Sequence, residues 1–98
     1  MEGVNYLLKE ILDRDTLSPK RKSFYSIIVD QEVQIHRISM DLPAILSFPK
    51  IDKHIATSTV EEIVYRDDGG LELVTLNTIY FLTREYSHLL QVGDESGI

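Results

Sequence analysis

Hydroxyl and amide side chains recur on two β-rich segments of this 98-residue chain. If the two segments are neighbouring strands, these side chains converge at the end of the hairpin remote from its turn. A neutral hydrogen-bonding patch of this kind suits a polar ligand or the exposed edge of a peptide. Because threonine is also a favourable strand residue, a purely structural role is the alternative. The candidate ligand-binding residues are Thr57, Thr59, Thr75, Asn77, Thr78 and Tyr80, with Ser58 beside them.

A second candidate surface is acidic. Glu61, Glu62, Asp67 and Asp68 lie within eight positions beside a single Arg66. Exposed charges of this density set the rate and specificity of association with a protein partner. The alternative is that they solubilise a hairpin and protect a sheet edge from aggregation.

The charge balance argues against nucleic acid as the main partner. The net charge is −6, with 16 acidic and 10 basic residues, whereas affinity for phosphate backbones needs a positive face. The one basic cluster, Lys20-Arg21-Lys22, follows Ser18-Pro19 and is either a solvated loop or a small anion contact. An anionic ligand at the polar patch would need a cation, and the candidates are Lys20, Arg21, Arg37 and Arg84.

Residues for catalysis or metal binding do not form a known pattern. His36, His54 and His88 have no spacing typical of a metal site, and the chain contains no cysteine. Glu61 and Glu62 are adjacent on a strand and therefore point to opposite faces. The sequence predicts neither an enzyme nor a cofactor.

The elements that must position these residues are clearest between Ile55 and Glu85. Two or three antiparallel strands flank Asp67-Asp68-Gly69-Gly70, and an Asp-Gly pair between β-rich runs is a strong hairpin signal. Two registers are open: Val64 opposite Leu73, or a three-residue loop that places Val64 opposite Val74 with Gly70 in the left-handed conformation. We prefer the second, which also sets Arg66 opposite Glu72. The run LELVTLNTIYFL has apolar residues at both odd and even positions, which indicates a strand covered on both faces or one that bends.

The rest of the chain predicts an α+β fold. The apolar spacing of Val4, Leu7, Leu8, Ile11 and Leu12 is typical of a helix from about Gly3 to Arg14. Residues 24–29 are predicted as a buried strand and 32–38 as its hairpin partner, with a helix over 31–40 as an alternative. Residues 41–49 are predicted as a short helical turn capped by Asp41, and 84–91 as a final short helix.

The predicted fold is therefore an N-terminal amphipathic helix packed on a four- to five-stranded antiparallel sheet, with a small curled barrel as an alternative. The chain is expected to form one domain, 1–98, with a loose tail at 94–98. The predicted core consists of Val4, Leu7, Leu8, Ile11, Phe24, Ile27, Val29, Ile35, Ile38, Ile45, Ile63, Leu73, Leu76, Ile79 and Phe81.

The location expected by default is the cytoplasm. No apolar run approaches the roughly 20 residues of a membrane span. The first residues, MEGVNYLLKEILDRD, are acidic and lack the pattern of a signal peptide.

The pattern TSTV … VTLNTIYFL, over about 30 residues, resembles the closing meander of small bacteriophage-encoded accessory proteins. The resemblance implies a protein that acts by binding, for example by inhibiting or sequestering a host-defence component. It carries over no catalytic residue.

Two functions are consistent with the sequence. The first is a non-enzymatic accessory or inhibitory protein that docks on a protein partner through a sheet edge or the acidic surface, or as a homodimer. The alternative is a protein that binds or sequesters a polar metabolite or nucleotide at the Thr/Asn/Tyr patch.

Overall fold

The protein is a closed barrel of six antiparallel strands, each hydrogen-bonded to its neighbours in chain order. A computed structural model describes residues 5–84. The elements are β1 (Asn5–Asp13), α1 (Phe24–Ile28), β2 (Glu32–Arg37), β3 (Pro43–Phe48), β4 (Lys53–Tyr65), β5 (Leu71–Thr75) and β6 (Thr78–Arg84). Within this part of the chain, no helix is long and apolar enough to cross a bilayer.

The barrel closes between its first and last strands. β1 pairs with β6 from Tyr6–Arg84 to Asp13–Thr78, and its first residues also pair with β2. β4 is long enough to serve two neighbours, because its first half pairs with β3 and its second half with β5. Closure removes the free edges that an open sheet of this size would expose.

The predicted α+β fold with an N-terminal helix is wrong, and the sheet has six strands instead of four or five. The segment from Asn5 to Asp13 is a strand with a bulge between Leu8 and Glu10. The bulge inserts one extra residue, so Leu8 and Ile11 point into the barrel although they are three positions apart. Apolar residues at 7, 8, 11 and 12 therefore have the same spacing as one face of an amphipathic helix, although Leu7 and Leu12 lie on the outer face of the strand.

Two further element predictions are reversed by the structure. Residues 24–28 form a single helical turn instead of a strand, held by the hydrogen bond from Val29 N–H to the Tyr25 carbonyl. The predicted helical turn over 41–49 is instead β3. Pro43 is tolerated there because it is the first residue of the strand. β2 is a strand as predicted, although it pairs with β1 and β3 instead of residues 24–29. The strands from Ile55 also agree with the prediction. The predicted final helix over 84–91 starts at Arg84, which is instead the last residue of β6. The remainder of that helix and the tail at 94–98 lie outside the described residues.

The turn of the β4–β5 hairpin has neither of the registers considered. Tyr65 pairs with Leu71 and Val64 with Glu72, so five residues make the loop. Gly69, with a φ of 91°, takes the left-handed position predicted for Gly70. Gly70 has a different reason to be glycine, because a Cβ there would lie 2.6 Å from the Leu82 carbonyl oxygen. The predicted contact between Arg66 and Glu72 is present at 3.0 Å, although the two residues are not directly paired.

The core fills the barrel. It differs from the predicted core mainly because alternate residues of a strand, not the predicted ones, face the interior. On β6 the interior positions are Tyr80 and Leu82, whereas Ile79 and Phe81 are half-buried on the outer face. Phe24, Ile27 and Leu76 are exposed, and Val4 lies outside the described residues. The buried apolar residues are Leu8, Ile11, Ile28, Val33, Ala44, Leu46, Phe48, Val60, Leu71, Leu73, Tyr80 and Leu82.

We expect Leu73→Ala to lower the free energy of unfolding by about 2–5 kcal/mol, because Leu73 is fully buried in the barrel. Leu17→Ala is the matched control, since Leu17 lies in a loop with 59% of its surface exposed. Urea denaturation followed by circular dichroism measures both. Equal losses in the two variants would contradict this assignment of the core.

Candidate functional site

A pocket of about 410 Å³ opens at the end of the barrel where β1 ends and β5 turns into β6. β4 contributes Thr57 and Ser58 to its wall, and the β5–β6 turn contributes Asn77 and Thr78. Other lining residues are Asp13, Asp15, Lys20, Phe24, Tyr25, Ile55, Ala56 and Tyr80. The pocket therefore combines strand hydroxyls, an amide, carboxylates, an ammonium group and aromatic rings.

The loop between β1 and α1 folds back onto β1 and so brings Lys20 to the pocket. Pro19 bridges to Leu12, and the Lys20 N–H donates to the Ile11 carbonyl at 2.8 Å. Asp13 organises the start of this loop, because its Oδ1 accepts the N–H groups of Asp15 and Thr16. These hydrogen bonds, the one from Thr16 first, lower the pKa of the Asp13 carboxyl below its ordinary value of 3.8. Asp13 is thus an anion at the rim at neutral pH.

Lys20 lies between a hydroxyl and an aromatic ring. Its Nζ donates to Thr78 Oγ1 at 2.9 Å and lies 5.1 Å from the centre of the Tyr25 ring. The Phe24 ring stands beside Tyr25, with 4.2 Å between the ring centroids. One ammonium group and two adjacent rings therefore form one side of the pocket.

The polar groups of the pocket divide into those already satisfied and those able to meet a ligand. Thr57 Oγ1 accepts the Ala44 N–H and donates to the Ser58 carbonyl, so it holds β3 and β4 together. Ser58 Oγ accepts the Asn77 N–H and keeps its own proton for another acceptor. The Asn77 side chain is exposed and has no hydrogen bond with the described residues.

Four of the six predicted ligand-binding residues line this pocket: Thr57, Asn77, Thr78 and Tyr80. The other two, Thr59 and Thr75, do not. Thr75 is buried, and its hydroxyl accepts the Thr78 N–H and donates to the Thr78 carbonyl, which makes it a turn-forming group. Thr59 pairs with Pro43 beyond the pocket wall. The sequence thus located the pocket region, and ligand binding by these residues stays a prediction.

The sequence missed Asp13 and the aromatic pair, because they were assigned to a helix and to a buried strand. The sequence Asp13-Arg14-Asp15-Thr16 could have revealed the role of Asp13. An aspartate whose side chain can accept the backbone N–H groups two and three residues later is typical of a turn. Among the cations proposed for an anionic ligand, Lys20 lines this pocket. Arg37 instead donates to the Pro43 carbonyl.

The acidic residues predicted as a partner surface are spread along β4 and the turn that follows it, and partner binding by them stays a prediction. Glu61 is the bulged residue of β4 and pairs with Arg14 at 2.7 Å. About 13 Å of strand separates Glu61 from Tyr65, where the turn with Asp67 and Asp68 begins. Asp68 lies 3.6 Å from Arg66 and accepts the Gly70 N–H, as turn chemistry predicts. Glu62 is exposed on the outer face opposite Val74.

Two of the three histidines come together away from the pocket, and His88 lies outside the described residues. His36 and His54 are stacked with 6.2 Å between ring centroids, and His36 Nε2 lies 2.7 Å from Ser47 Oγ. Within residues 5–84, no carboxylate hydrogen-bonds His36, and no group of three or more metal-ligating side chains occurs.

The fold and site together define a small closed antiparallel barrel with a polar pocket at one end. No protein-family model, no curated protein and no solved structure matches this chain. The resemblance to phage accessory proteins therefore stays a prediction.

Tyr80 predicts a specific pH dependence of stability. Burial, followed by the charge of Tyr25, raises its pKa from 10.0 to about 12, although a hydrogen bond with Thr78 opposes the shift. The unfolded chain therefore loses the Tyr80 proton first, and this contribution to stability falls as pH rises from 10 to 12. We expect Tyr80→Phe to lose less unfolding free energy over that interval than the unchanged protein. Urea denaturation at several pH values measures both slopes, and parallel curves would contradict the assignment.

Proposed function

We propose that this protein binds a small polar ligand in the pocket at the end of the barrel. The observation that carries the proposal is the set of unsatisfied groups there: the Ser58 hydroxyl, the Asn77 amide and the remaining N–H donors of Lys20. A pocket with few, well-positioned polar groups on a rigid scaffold is the usual form of a small-molecule site. The neighbouring strands and the hydrogen-bonded loop hold these groups in place before a ligand arrives.

Binding, without chemical conversion, is the function that these groups support. The hydroxyls of Thr57 and Thr75 are satisfied by the backbone, so they position the walls of the site. Lys20 is engaged with Thr78 and provides charge at a fixed point. The proposed role is capture or sequestration of the ligand, which the sequence also allows.

A screen of polar metabolites by ¹H–¹⁵N NMR tests the proposal directly. A ligand is expected to shift the amide signals of Ser58, Asn77 and Thr78 in a saturable manner. Asn77→Ala should weaken its binding about 2- to 10-fold, the cost of a neutral hydrogen bond. Thr59→Ala is the matched control, because its side chain lies outside the pocket wall and should leave affinity unchanged.

A second variant separates loss of a hydrogen bond from loss of the site. Ala56 lines the pocket on an exposed position of β4, so Ala56→Trp is expected to fill the space and abolish binding while the barrel stays folded. Binding that persists in a folded Ala56→Trp protein, or a screen with no shifts at the pocket, would refute the proposed function.

A separate observation favours a protein contact as a second function. Met40, Leu42 and Leu76 are each about half exposed, at 49%, 47% and 52%. Backbone hydrogen bonds join Leu42 and Asp41, the neighbour of Met40, to Val60, and Leu76 to Thr59, so the backbone of these three residues lies near one point of β4. Exposed apolar groups that cluster in this way are typical of interaction surfaces. We propose a second copy of the chain as the partner, because an apolar patch is complementary to itself.

The double substitution Leu42→Ser and Leu76→Ser is expected to shift the protein from dimer to monomer, because it removes the apolar area that would be buried. Sedimentation equilibrium over a range of concentrations measures the change. Leu17→Ser, at an exposed leucine outside this cluster, is the control and should leave the dimer intact. A protein that is monomeric at every concentration would refute this contact.

A further inference from the structure

A second cavity, lined by three basic residues, adjoins the pocket. This cavity, of about 330 Å³, shares Asp13, Lys20 and Tyr25 with the first, so the two lie side by side. Arg21 and Lys22 line the second cavity. Lys20-Arg21-Lys22 is the one run of three consecutive basic residues in a chain of net charge −6. This basic run therefore lies next to the pocket, with Lys20 lining both cavities and Lys22 lining the second.

The three cations are not equally available. Arg21 is neutralised by Glu10, with 2.9 Å between Nη2 and Oε2. Among residues 5–84, Lys20 has a hydroxyl partner but no carboxylate within ion-pair distance, and Lys22 is exposed without an ion pair. Two ammonium groups thus remain to meet an anion. A phosphate with several acceptor oxygens is suited to two such point charges.

Two aromatic rings line the same pocket as Lys20 and the Asn77 amide. Phe24 is 38% exposed although it stacks beside Tyr25, and both rings line the pocket. An exposed ring on an otherwise polar wall is suited to a planar partner. Stacking of a nucleobase on a protein aromatic ring strengthens binding by about fivefold or more.

The opposite wall supplies directional groups. The Asn77 amide offers a donor and an acceptor side by side, which is the pattern needed to read the edge of a base. The Asp15 carboxylate is exposed at the rim and can accept hydrogen bonds from hydroxyl groups, whereas the Ser58 hydroxyl on the pocket wall can donate one. A ribose presents hydroxyls of this kind.

Resting on the proposed function, we infer that the ligand is a mononucleotide, with its base against Phe24 and its phosphate between Lys20 and Lys22. Other polar metabolites satisfy only part of the site. A neutral sugar leaves the two ammonium groups without a partner, and an amino acid leaves the aromatic surface uncovered. A nucleotide matches the rings, the amide, the hydroxyl acceptors and the cations together.

Calorimetric titration tests the inference with AMP, GMP, CMP and UMP as nucleotides. Adenosine, which lacks the phosphate, and ribose 5-phosphate, which lacks the base, are the comparison probes. We expect at least one nucleotide to bind at least fivefold more tightly than either probe, at low salt. Raising the salt concentration should weaken the nucleotide and leave adenosine unchanged, because only the phosphate contact is screened.

Substitutions test which residues contact the phosphate and which contact the base. Lys22→Ala should weaken the nucleotide up to about fivefold and leave adenosine unaffected, since an exposed charge contributes no more than about 1 kcal/mol. Phe24→Ala should weaken both ligands by about fivefold or more. Lys53→Ala and Ile27→Ala are the controls, because these exposed residues do not line either cavity.

The outcomes distinguish this inference from the proposed function. Nucleotide binding that depends on Lys22 and Phe24 supports both. Saturable shifts at Ser58 and Asn77 with a metabolite that lacks a base or a phosphate, and none with nucleotides, overturn the nucleotide inference and leave the proposed function standing. Adenosine that binds as tightly as AMP also overturns the inference. The absence of any pocket ligand overturns both.

Discussion

The pairing of β1 with β6 is the interaction on which the other features depend. It converts six strands into a closed barrel, and its last pair sets Asp13 directly opposite Thr78. The loop that carries Lys20 leaves from the first of these residues, and the β5–β6 turn with Asn77 adjoins the second. The hydrogen bond between Lys20 and Thr78 therefore spans the seam. If β1 were displaced by one residue, its interior and exterior faces would exchange, and Lys20 would no longer reach Thr78.

The pocket is formed by irregular backbone held by regular structure. The loop after β1 is fixed by hydrogen bonds to the Asp13 side chain and to the Ile11 carbonyl. Another wall is formed by β4 from Ile55 to Ser58, just before that strand changes partner from β3 to β5. Several hydroxyls are consumed in building these walls, which leaves a small number of groups for recognition. The arrangement explains why a threonine-rich strand can be structural at one residue and exposed to a ligand at the next.

The strands from Ile55 onward could be predicted from sequence because turn glycines and β-branched residues agree there. The N-terminal strand could not, since its bulge gives interior residues a spacing of three and its outer face is also apolar at Leu7 and Leu12. The same double-sided apolar character concealed which of Ile79 or Tyr80 faces inward. Residues 24–28 favour a strand by composition, yet the buried Ile28 anchors a helical turn on the core. The polar pocket residues were found because they belong to the predictable meander, whereas Asp13 and Tyr25 belong to the parts that were not.

Closure between the first and last strands also has a consequence for how the chain reaches this structure. β1 pairs with β2 through three residues and with β6 over almost its whole length. Of the six described strands, β1 is synthesised first, and it cannot pair with β6 until nearly all of the described chain has been made. Contacts between such distant segments carry a large loop-closure entropy and slow the folding of β proteins. The charged residues of β1 are one lysine and two carboxylates, Lys9, Glu10 and Asp13. They lie along the strand that is without its main partner for the longest time, and charges of this kind oppose premature association with other chains.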